Sequence, residues 1–371
     1  MSDICTFHDQ AMQMMNDAFL LKNSDNHEEA RQKFIQACEL ESKSAFLVEK
    51  LPINEPSRSM LFLGAASLAW HGEDYESAER LIGEGLSGYP PDNVRDDLFK
   101  LLDNIKFARL ARKNSQILRE AEAEIRLSGS GVGHGRIKSQ CLISRIDAID
   151  KIISRTAQRA YGLKFGTHPK KHQGFPDYQV DIEWAEAGSF GMKIRLTQKI
   201  NEQLSFFQKD PSEILKDVID NIELLNKGHS DELKNNINDD EYYTHFVSQS
   251  KEIFPDGNII NNVGFVTKNK TFQIKKHRSD VKKILTHDDT EINENNINKN
   301  NIMCKFVGYL KVSDGIKDTF KIVQDDNKYV TIKVRDALEE LAKKYFGDKI
   351  EATCTQKGKT YHLVDITPLP D

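Results

Sequence analysis

Glycine alternates with other residues in the segment Gly129-Ser-Gly-Val-Gly-His-Gly-Arg136, and such a run can bring the backbone close to an anion. The dinucleotide-binding pattern GxGxxG fails, because His134 and Arg136 stand where it requires glycine. The Walker pattern fails too, since no glycine of the run precedes Lys-Ser or Lys-Thr. A helix is predicted to begin near Ser139, where free N–H groups could meet an anion beside Arg136. The sequence favours a structural crossover, with an anion site as the alternative.

A second candidate is the loop His168-Pro-Lys-Lys-His172, whose histidines have the spacing of a helical metal pair. Pro169 disfavours a helix through the loop, and no glutamate adjoins His168 as in the zinc-protease motif. We therefore predict no metal ion and no cofactor. Lys170 and Lys171 make the loop basic, so it remains a candidate anion site.

Ser189 lies in Ala187-Gly-Ser-Phe-Gly191, which partly matches a nucleophile elbow. That motif needs a strand followed by a helix, whereas a strand is predicted to follow Ser189. Ser189 is therefore interpreted as a hairpin residue, and the catalytic residues stay unassigned.

The densest basic cluster is Lys275-Lys-His-Arg278 together with Lys282 and Lys283. Its members Lys275, Lys276 and Arg278 are candidate anion or nucleic-acid ligands. A solvated end of a sheet is the favoured alternative, because the chain as a whole carries a net charge of −5.

Composition restricts the class of protein. The chain has 371 residues, of which 38% are hydrophobic and 29% are charged, as in globular proteins with a polar surface. Five scattered cysteines without a CxxC pair are typical of reduced thiols. Neither a signal peptide nor an apolar run of membrane-spanning length is evident. These features predict a cytoplasmic protein that does not bind membranes.

Helical periodicity dominates residues 1–127. A helix is predicted around Phe34, a second after Ser57, a third up to the Gly88-Tyr-Pro-Pro91 turn, and a long one over Asn93–Glu124. The helix–turn–helix rhythm resembles a tetratricopeptide (TPR) unit. The residues that carry this likeness are Gly72, Tyr75, Ala78, Leu81, Gly85 and Pro91, with Gly64, Ala65 and Ala66 on the partner helix. About two hairpins are present, so either packing on the rest of the chain or binding of a partner protein is expected.

Residues 128–285 are predicted to form an α+β domain with a mainly antiparallel sheet. Apolar and polar residues alternate over Tyr178–Trp184 and Phe190–Thr197, which predicts a hairpin whose acidic and basic outer rows set the register. Helices are predicted over 139–161, 211–227 and 239–253, and strands over 262–267 and 271–274. The order of strands and helices argues against a doubly wound sheet.

Residues 286–302 are rich in Asn and predicted to be an exposed linker. Residues 303–371 are predicted to form three strands, a helix and two strands, the order of an OB-like barrel, with an SH3-like barrel as the rival. Phe320, Lys321, Tyr329 and Lys333 fall in the second and third strands, where OB barrels often bind single-stranded nucleic acid. Acids nearly balance bases in this region, which argues against a positive groove.

The chain as a whole resembles a family of uncharacterised bacterial proteins with a TPR-like N-terminus, a central α/β body and a small C-terminal barrel. Segments that carry the resemblance are Glu55–Leu61, Gly72–Pro91, Gly129–Arg136, Arg155–Ala157, Ala187–Phe190 and Pro255–Gly257. The family implies no reaction, so no functional residue can be carried over from it.

Three hypotheses about function follow. The leading one is an intracellular bacterial adaptor or regulatory subunit that binds a protein partner through its helical region, in a defence or toxin–antitoxin-like operon. The second is a nucleic-acid-binding protein that uses the barrel and the basic cluster. The third is a hydrolase or nuclease built around His134 and the His168 loop. The sequence favours interaction over catalysis and leaves enzymatic activity open.

Overall fold

The computed structural model describes residues 2–24, 26–115, 118–133, 136–166, 177–184, 190–199, 209–294, 302–314 and 319–369. The chain divides into two compact units, Met1–Gln116 and Ile117–Asp371. The chain contains both helices and antiparallel strands and is mixed α+β.

The first unit is helical. Its helices are α1 (Ser2–Asn23), α2 (His27–Leu47), α3 (Ser57–His71), α4 (Tyr75–Leu86) and α5 (Asp92–Ser115), with a short 3-10 turn at Pro52–Asn54. Successive helices pack against each other. Small residues make this possible: Ala65, Ala66 and Ala69 of α3 are fully buried, and a Cβ on Gly85 would lie 3.1 Å from Leu98. The helical hairpins predicted from the sequence are present.

The helix predicted to run to Glu124 ends at Ser115. Residues Glu122–Ser128 instead form strand β1 of the second unit. The segment lacks Gly and Pro, but it alternates charged and apolar residues, and this period of two is the signal of a strand. The predicted domain boundary after residue 127 thus falls inside β1.

The second unit contains a five-stranded sheet and a closed barrel. In the described residues, seven strands precede the barrel: β1, β2 (Val132–Gly133), β3 (Arg136–Ile137), β4 (Asp177–Trp184), β5 (Phe190–Lys199), β6 (Asn262–Thr267) and β7 (Thr271–Ile274). The sheet order is β4-β5-β1-β6-β7, and every pairing is antiparallel. The short β2 and β3 form a separate ribbon. The predicted antiparallel α+β architecture is confirmed.

One face of this sheet is apolar and the other is charged. Ala123, Ile125 and Leu127 of β1 point into the main core. That core is completed by helices α6 (Ser139–Ala160), α7 (Pro211–Lys227), α8 (Ser230–Ile237) and α9 (Asp240–Ile253). On the opposite face, Glu183 of β4 lies 3.1 Å from Lys193 and 3.2 Å from Arg195 of β5. The predicted pairing of acidic and basic rows in this hairpin is confirmed.

Helix α10 (Arg278–Glu294) includes much of the segment predicted to be a linker. The barrel follows with β8 (Ile302–Asp314), β9 (Thr319–Val323), β10 (Tyr329–Lys333), α11 (Asp336–Lys344), β11 (Lys349–Lys357) and β12 (Thr360–Pro368). It closes in the order β10-β12-β11-β8-β9, with β10 parallel to β12. The barrel has its own hydrophobic core, separate from the main core, which includes Leu310, Phe320, Ile322 and Ile332.

Several ion pairs along α9 join the barrel to the rest of the second unit, which is called the body. Glu241, His245 and Glu252 lie on one side of α9, because their spacings of four and seven residues repeat with the helix. Glu241 pairs with Arg335 at 2.7 Å, and His245 lies 3.2 Å from Glu340. These three α9 residues form the polar stripe of α9.

Glu252 completes the stripe. Lys344 and the Tyr345 hydroxyl each lie 2.8 Å from its carboxylate. Burial alone would raise the pKa of Glu252, but the charges of Arg278, Lys344 and Lys251 outweigh it and lower the pKa to about 2. Glu252 therefore remains ionised inside the interface.

The His245 side chain, 1% exposed, makes the stability of this interface depend on pH. Burial lowers its pKa despite the hydrogen bond with Glu340, and Arg155 and Lys151 lower it further. The unfolded chain thus takes up a proton near pH 6.5 more readily than the folded chain. We expect the free energy of unfolding to fall by up to about 1.4 kcal/mol per pH unit as the pH drops below about 6.5.

This dependence is measured by urea unfolding between about pH 3.5 and 8 for the wild type and for His245→Gln, which keeps a donor for Glu340. The variant should show a shallower decline between pH 6.5 and 5. Below about pH 4.5 both proteins should lose stability together, since Glu340, whose pKa His245 and Arg155 lower to about 2 against burial, then takes up a proton on unfolding. Equal slopes above pH 5 would contradict the assignment to His245.

Candidate nucleic-acid interface

Four residues form a straight row across the outside of the barrel. Tyr309 of β8 is directly opposite Lys349 of β11 on one side and Val323 of β9 on the other. Val323 is in turn opposite Tyr329 of β10. Directly paired residues in a sheet point to the same face. We call this set the tyrosine row: Lys349, Tyr309, Val323 and Tyr329.

The row faces outward because its neighbours fill the core. Leu310 and Ile322, which follow Tyr309 and precede Val323, are fully buried. Gly308 lets β8 and β9 pack closely here, since a Cβ at this position would lie 2.4 Å from the Val323 carbonyl oxygen. The Tyr329 side chain is 64% exposed. The barrel thus presents aromatic rings on its surface.

Lysine ammonium groups flank both rings. Lys321 Nζ lies 4.8 Å from the ring centroid of Tyr329, and the Nζ atoms of Lys311 and Lys349 lie 5.4 and 5.6 Å from that of Tyr309. Such cation–π contacts hold the rings and the charges together. Lys349 also pairs with Asp325 at 3.1 Å. Within the described part of the chain, Lys311 and Lys321 have no carboxylate partner.

Three acidic residues of the barrel pair with cations outside it. Glu340 pairs with Arg155 at 2.5 Å, Glu351 pairs with Lys282 at 3.2 Å, and Asp365 pairs with Lys251. These carboxylates therefore neutralise cations of the body. Part of the acidic charge of residues 303–371 is thus neutralised away from the tyrosine row, where Asp325 is the carboxylate partner of Lys349.

Three of the residues predicted from the sequence come together at this surface. Lys321 of β9 is directly opposite Thr331 of β10, so the two side chains point to the same face. Lys333, two residues after Thr331, points to that face as well. Tyr329 completes the set. Phe320 does not belong to it: the ring is 2% exposed and lies in the barrel core, because it alternates with Lys321.

Sequence reasoning missed Tyr309, Lys311 and Lys349. The signal was present for Tyr309, since Lys305, Val307 and Tyr309 alternate with residues that point inward. A β-bulge at Leu310/Val312 breaks this alternation and places Lys311 on the surface. The position of Lys349 depends on barrel closure, which no local pattern encodes.

The cluster predicted around Lys275 does not form a single surface. Arg278 donates hydrogen bonds to the carbonyl oxygens of Phe254 and Glu252 at 3.2 and 2.8 Å. Lys276 Nζ lies beside Gly228 at the end of α7. Lys275 is exposed. Lys276 and Arg278 thus contact different elements, and Arg278 serves to hold the turn after α9.

The glycine run makes a close backbone crossing. Gly131 donates its N–H to the Ile259 carbonyl at 3.0 Å, and the Ser130 hydroxyl donates to the Asn258 carbonyl at 2.6 Å. A Cβ on Gly129 would lie 2.3 Å from the Ile259 carbonyl oxygen. This geometry supports the structural interpretation of the run. Arg136 is exposed in β3.

Several predicted residues lie outside the described part of the chain: His134, the His168–His172 loop with Lys170 and Lys171, and Ser189. A hydrolase or nuclease centred on these residues stays a prediction. Among the residues that the structure does describe, none form a group of three or more His, Cys, Asp or Glu able to hold a metal ion.

Comparisons with protein families, with curated proteins and with solved structures found no match. Among the helices of the described residues, none is both long enough and apolar enough to cross a bilayer.

Proposed function

We propose that the barrel binds single-stranded nucleic acid across the tyrosine row. The observation that carries the proposal is the pairing of two outward tyrosines, Tyr309 and Tyr329, with lysines over or beside their rings. Every base has a flat face that stacks on an aromatic ring, and ammonium groups neutralise phosphates. The same surface thus offers a contact for each part of a nucleotide.

An OB-like assignment of the barrel supports this proposal. Its strand order, the parallel pairing of β10 with β12, and a helix between the third and fourth strands favour the OB-like over the SH3-like interpretation. On this assignment the tyrosine row crosses the first three strands, next to the face that OB barrels use for oligonucleotides.

The spacing of the rings limits the ligand. Tyr309 and Tyr329 lie two strands apart, about 10 Å at the usual separation of neighbouring strands. Two rings at this distance would take two unpaired bases from one strand. A duplex keeps its bases stacked on each other, so the row favours single strands. Stacking does not read base edges, and binding should tolerate different sequences.

Fluorescence anisotropy with the full chain and a labelled oligothymidylate tests the proposal. Binding is expected at low salt and should weaken linearly in a plot of log affinity against log salt. A duplex of the same length should bind more weakly. Undetectable binding of both DNA and RNA single strands at low salt would end the proposal.

The double variant Lys321→Gln/Lys333→Gln should flatten the salt dependence. Each phosphate contact contributes about 0.7 to the slope for single strands, so loss of two contacts lowers it by up to about 1.4. The matched control is Lys283→Gln, an exposed lysine paired with Asp280. An unchanged slope in the double variant would show that these lysines do not contact phosphates.

A second function, that of an adaptor, is supported by the first unit. Large apolar side chains are exposed where α2 meets α3 and α4 meets α5: Phe46, Leu47, Leu51, Ile53, Met60 and Tyr89. These two connections adjoin, since Tyr89 donates its N–H to Glu55 at 3.3 Å. We propose that this TPR-like unit binds a protein partner with an apolar segment, as a regulatory subunit would.

A pull-down at native expression should recover a stoichiometric partner that Ile53→Asp loses. Glu76→Lys, an exposed charge change on α4, is the control. Failure to recover any stoichiometric partner, with a monomer in solution, would contradict the adaptor function and leave the barrel proposal untouched.

A further inference from the structure

Two cysteines face each other inside the barrel wall. Cys304 of β8 is directly opposite Cys354 of β11, and the ladder runs from Tyr309↔Lys349 to Ile302↔Gln356 without a shift. Directly paired residues have Cα atoms about 4.5 to 5.5 Å apart, within the range of about 4.4 to 6.8 Å that a disulfide spans. We propose that Cys304 and Cys354 are a redox modification site, which hydrogen peroxide converts to a reversible cross-strand disulfide.

The ladder also indicates that such a bond would be easy to reduce. Leu310 donates its N–H to the Asp348 carbonyl at 3.2 Å, so Leu310 and Asp348 form a hydrogen-bonded pair. Such pairs recur at every second residue, which makes Cys304 and Cys354 a pair of the same kind. Their Cβ atoms are then about 5.5 Å apart, about 1 Å beyond the upper end of the range found in disulfides. A bond that draws strands together is strained and readily reduced.

The two thiols differ in access. Cys304 is half-buried near the start of β8, with Sγ 4.0 Å from the Gln356 side-chain oxygen, whereas Cys354 is fully buried. Burial raises the pKa of the Cys354 thiol to about 12. An oxidant in solution therefore reaches Cys304 first, and Cys354 is the resolving thiol.

The chemistry balances in two steps. Cys304 Sγ attacks one peroxide oxygen, the O–O bond breaks, and sulfenic acid and one water form. Cys354 Sγ then attacks the Cys304 sulfur and its proton leaves with the hydroxyl group as a second water. Both sulfurs are oxidised and both peroxide oxygens are reduced. The product ties the first strand of the barrel to β11.

To test the proposal, the protein is treated with increasing concentrations of hydrogen peroxide. Remaining thiols are then alkylated under denaturing conditions, and the peptides are mapped by mass spectrometry without reduction. A cross-linked peptide joining Cys304 to Cys354 is expected, with the mass of two hydrogens lost and restored by dithiothreitol. In Cys354→Ser the cross-link should vanish, while a sulfenic-acid probe labels Cys304. The control Cys141→Ser, at another half-buried cysteine, should retain the cross-link.

Two results would overturn the proposal. One is complete alkylation of both Cys304 and Cys354 at a peroxide concentration that oxidises the exposed Cys5. The other is a disulfide from Cys304 to any other cysteine in place of Cys354. Both results are measured on the wild-type protein, so they test the proposal even if a cysteine substitution disturbs folding.

Discussion

Lys251→Met is expected to lower the free energy of unfolding by about 3 to 5 kcal/mol, the cost of leaving a buried charge without its partner. Lys251 is 4% exposed, pairs with the fully buried Asp365, and donates a second hydrogen bond to the Ile366 carbonyl at 2.7 Å. After the substitution the nearest cation to Asp365 is Lys282, at 3.8 Å. Urea unfolding followed by circular dichroism measures the loss.

Two further variants distinguish the loss of the Lys251–Asp365 ion pair from a general effect of removing a lysine. Lys283→Met removes an exposed lysine paired with Asp280 and should cost less than about 1 kcal/mol. Lys251→Met/Asp365→Leu removes both charges and should recover much of the loss, because an apolar pair of similar size needs no partner ion. A loss in Lys251→Met no larger than in Lys283→Met would refute the role of this pair.

Tyr309→Ala/Tyr329→Ala is expected to weaken binding of an oligothymidylate at least about 30-fold. Each base stacked on an aromatic ring contributes about 1 to 3 kcal/mol, so two stacked bases contribute at least about 2 kcal/mol. Fluorescence anisotropy at constant salt measures the dissociation constants. Because the tyrosines face outward, the double variant should still fold. Circular dichroism checks this.

The matched control replaces the same residues by phenylalanine. Tyr309→Phe/Tyr329→Phe keeps both rings and should bind within a few-fold of the wild type, since stacking needs the ring and not the hydroxyl. Tyr89→Ala, which removes an exposed tyrosine of the first unit, should have no effect. Equal losses in the Ala and Phe variants would show that the rings do not stack on bases.

Local patterns predicted most of the elements of this fold. The helix predicted over 211–227 matches α7, which the Asp210 side chain caps, Pro211 begins and Gly228 ends in a left-handed conformation. The alternation of β4 and β5 predicted their pairing and its charges. Residues 122–128 misled because a continuous segment without Gly or Pro is compatible with a helix. Their alternation of charged and apolar residues was the signal of a strand, which pairs with β5 and β6.

The candidate interface was predictable in part for the same reason. Lys321, Tyr329 and Lys333 lie on one hairpin, and the alternation of β9 and β10 places them on one side. Tyr309 and Lys349 join them only because the barrel closes and brings β8 and β11 alongside. A count of charges along the chain also does not reveal that Glu340, Glu351 and Asp365 pair with cations outside the barrel.

The middle strand of the five-stranded sheet is also the earliest in the chain. Ile125 of β1 lies between Met192 and Phe265, which follow much later. During synthesis β1 therefore has no neighbour to pair with until the hairpin of β4 and β5 has been made, and its second edge stays open until β6 emerges. A proteolytic fragment that starts at residue 128 would lose this strand and leave two half-sheets with unpaired edges, a state that invites aggregation.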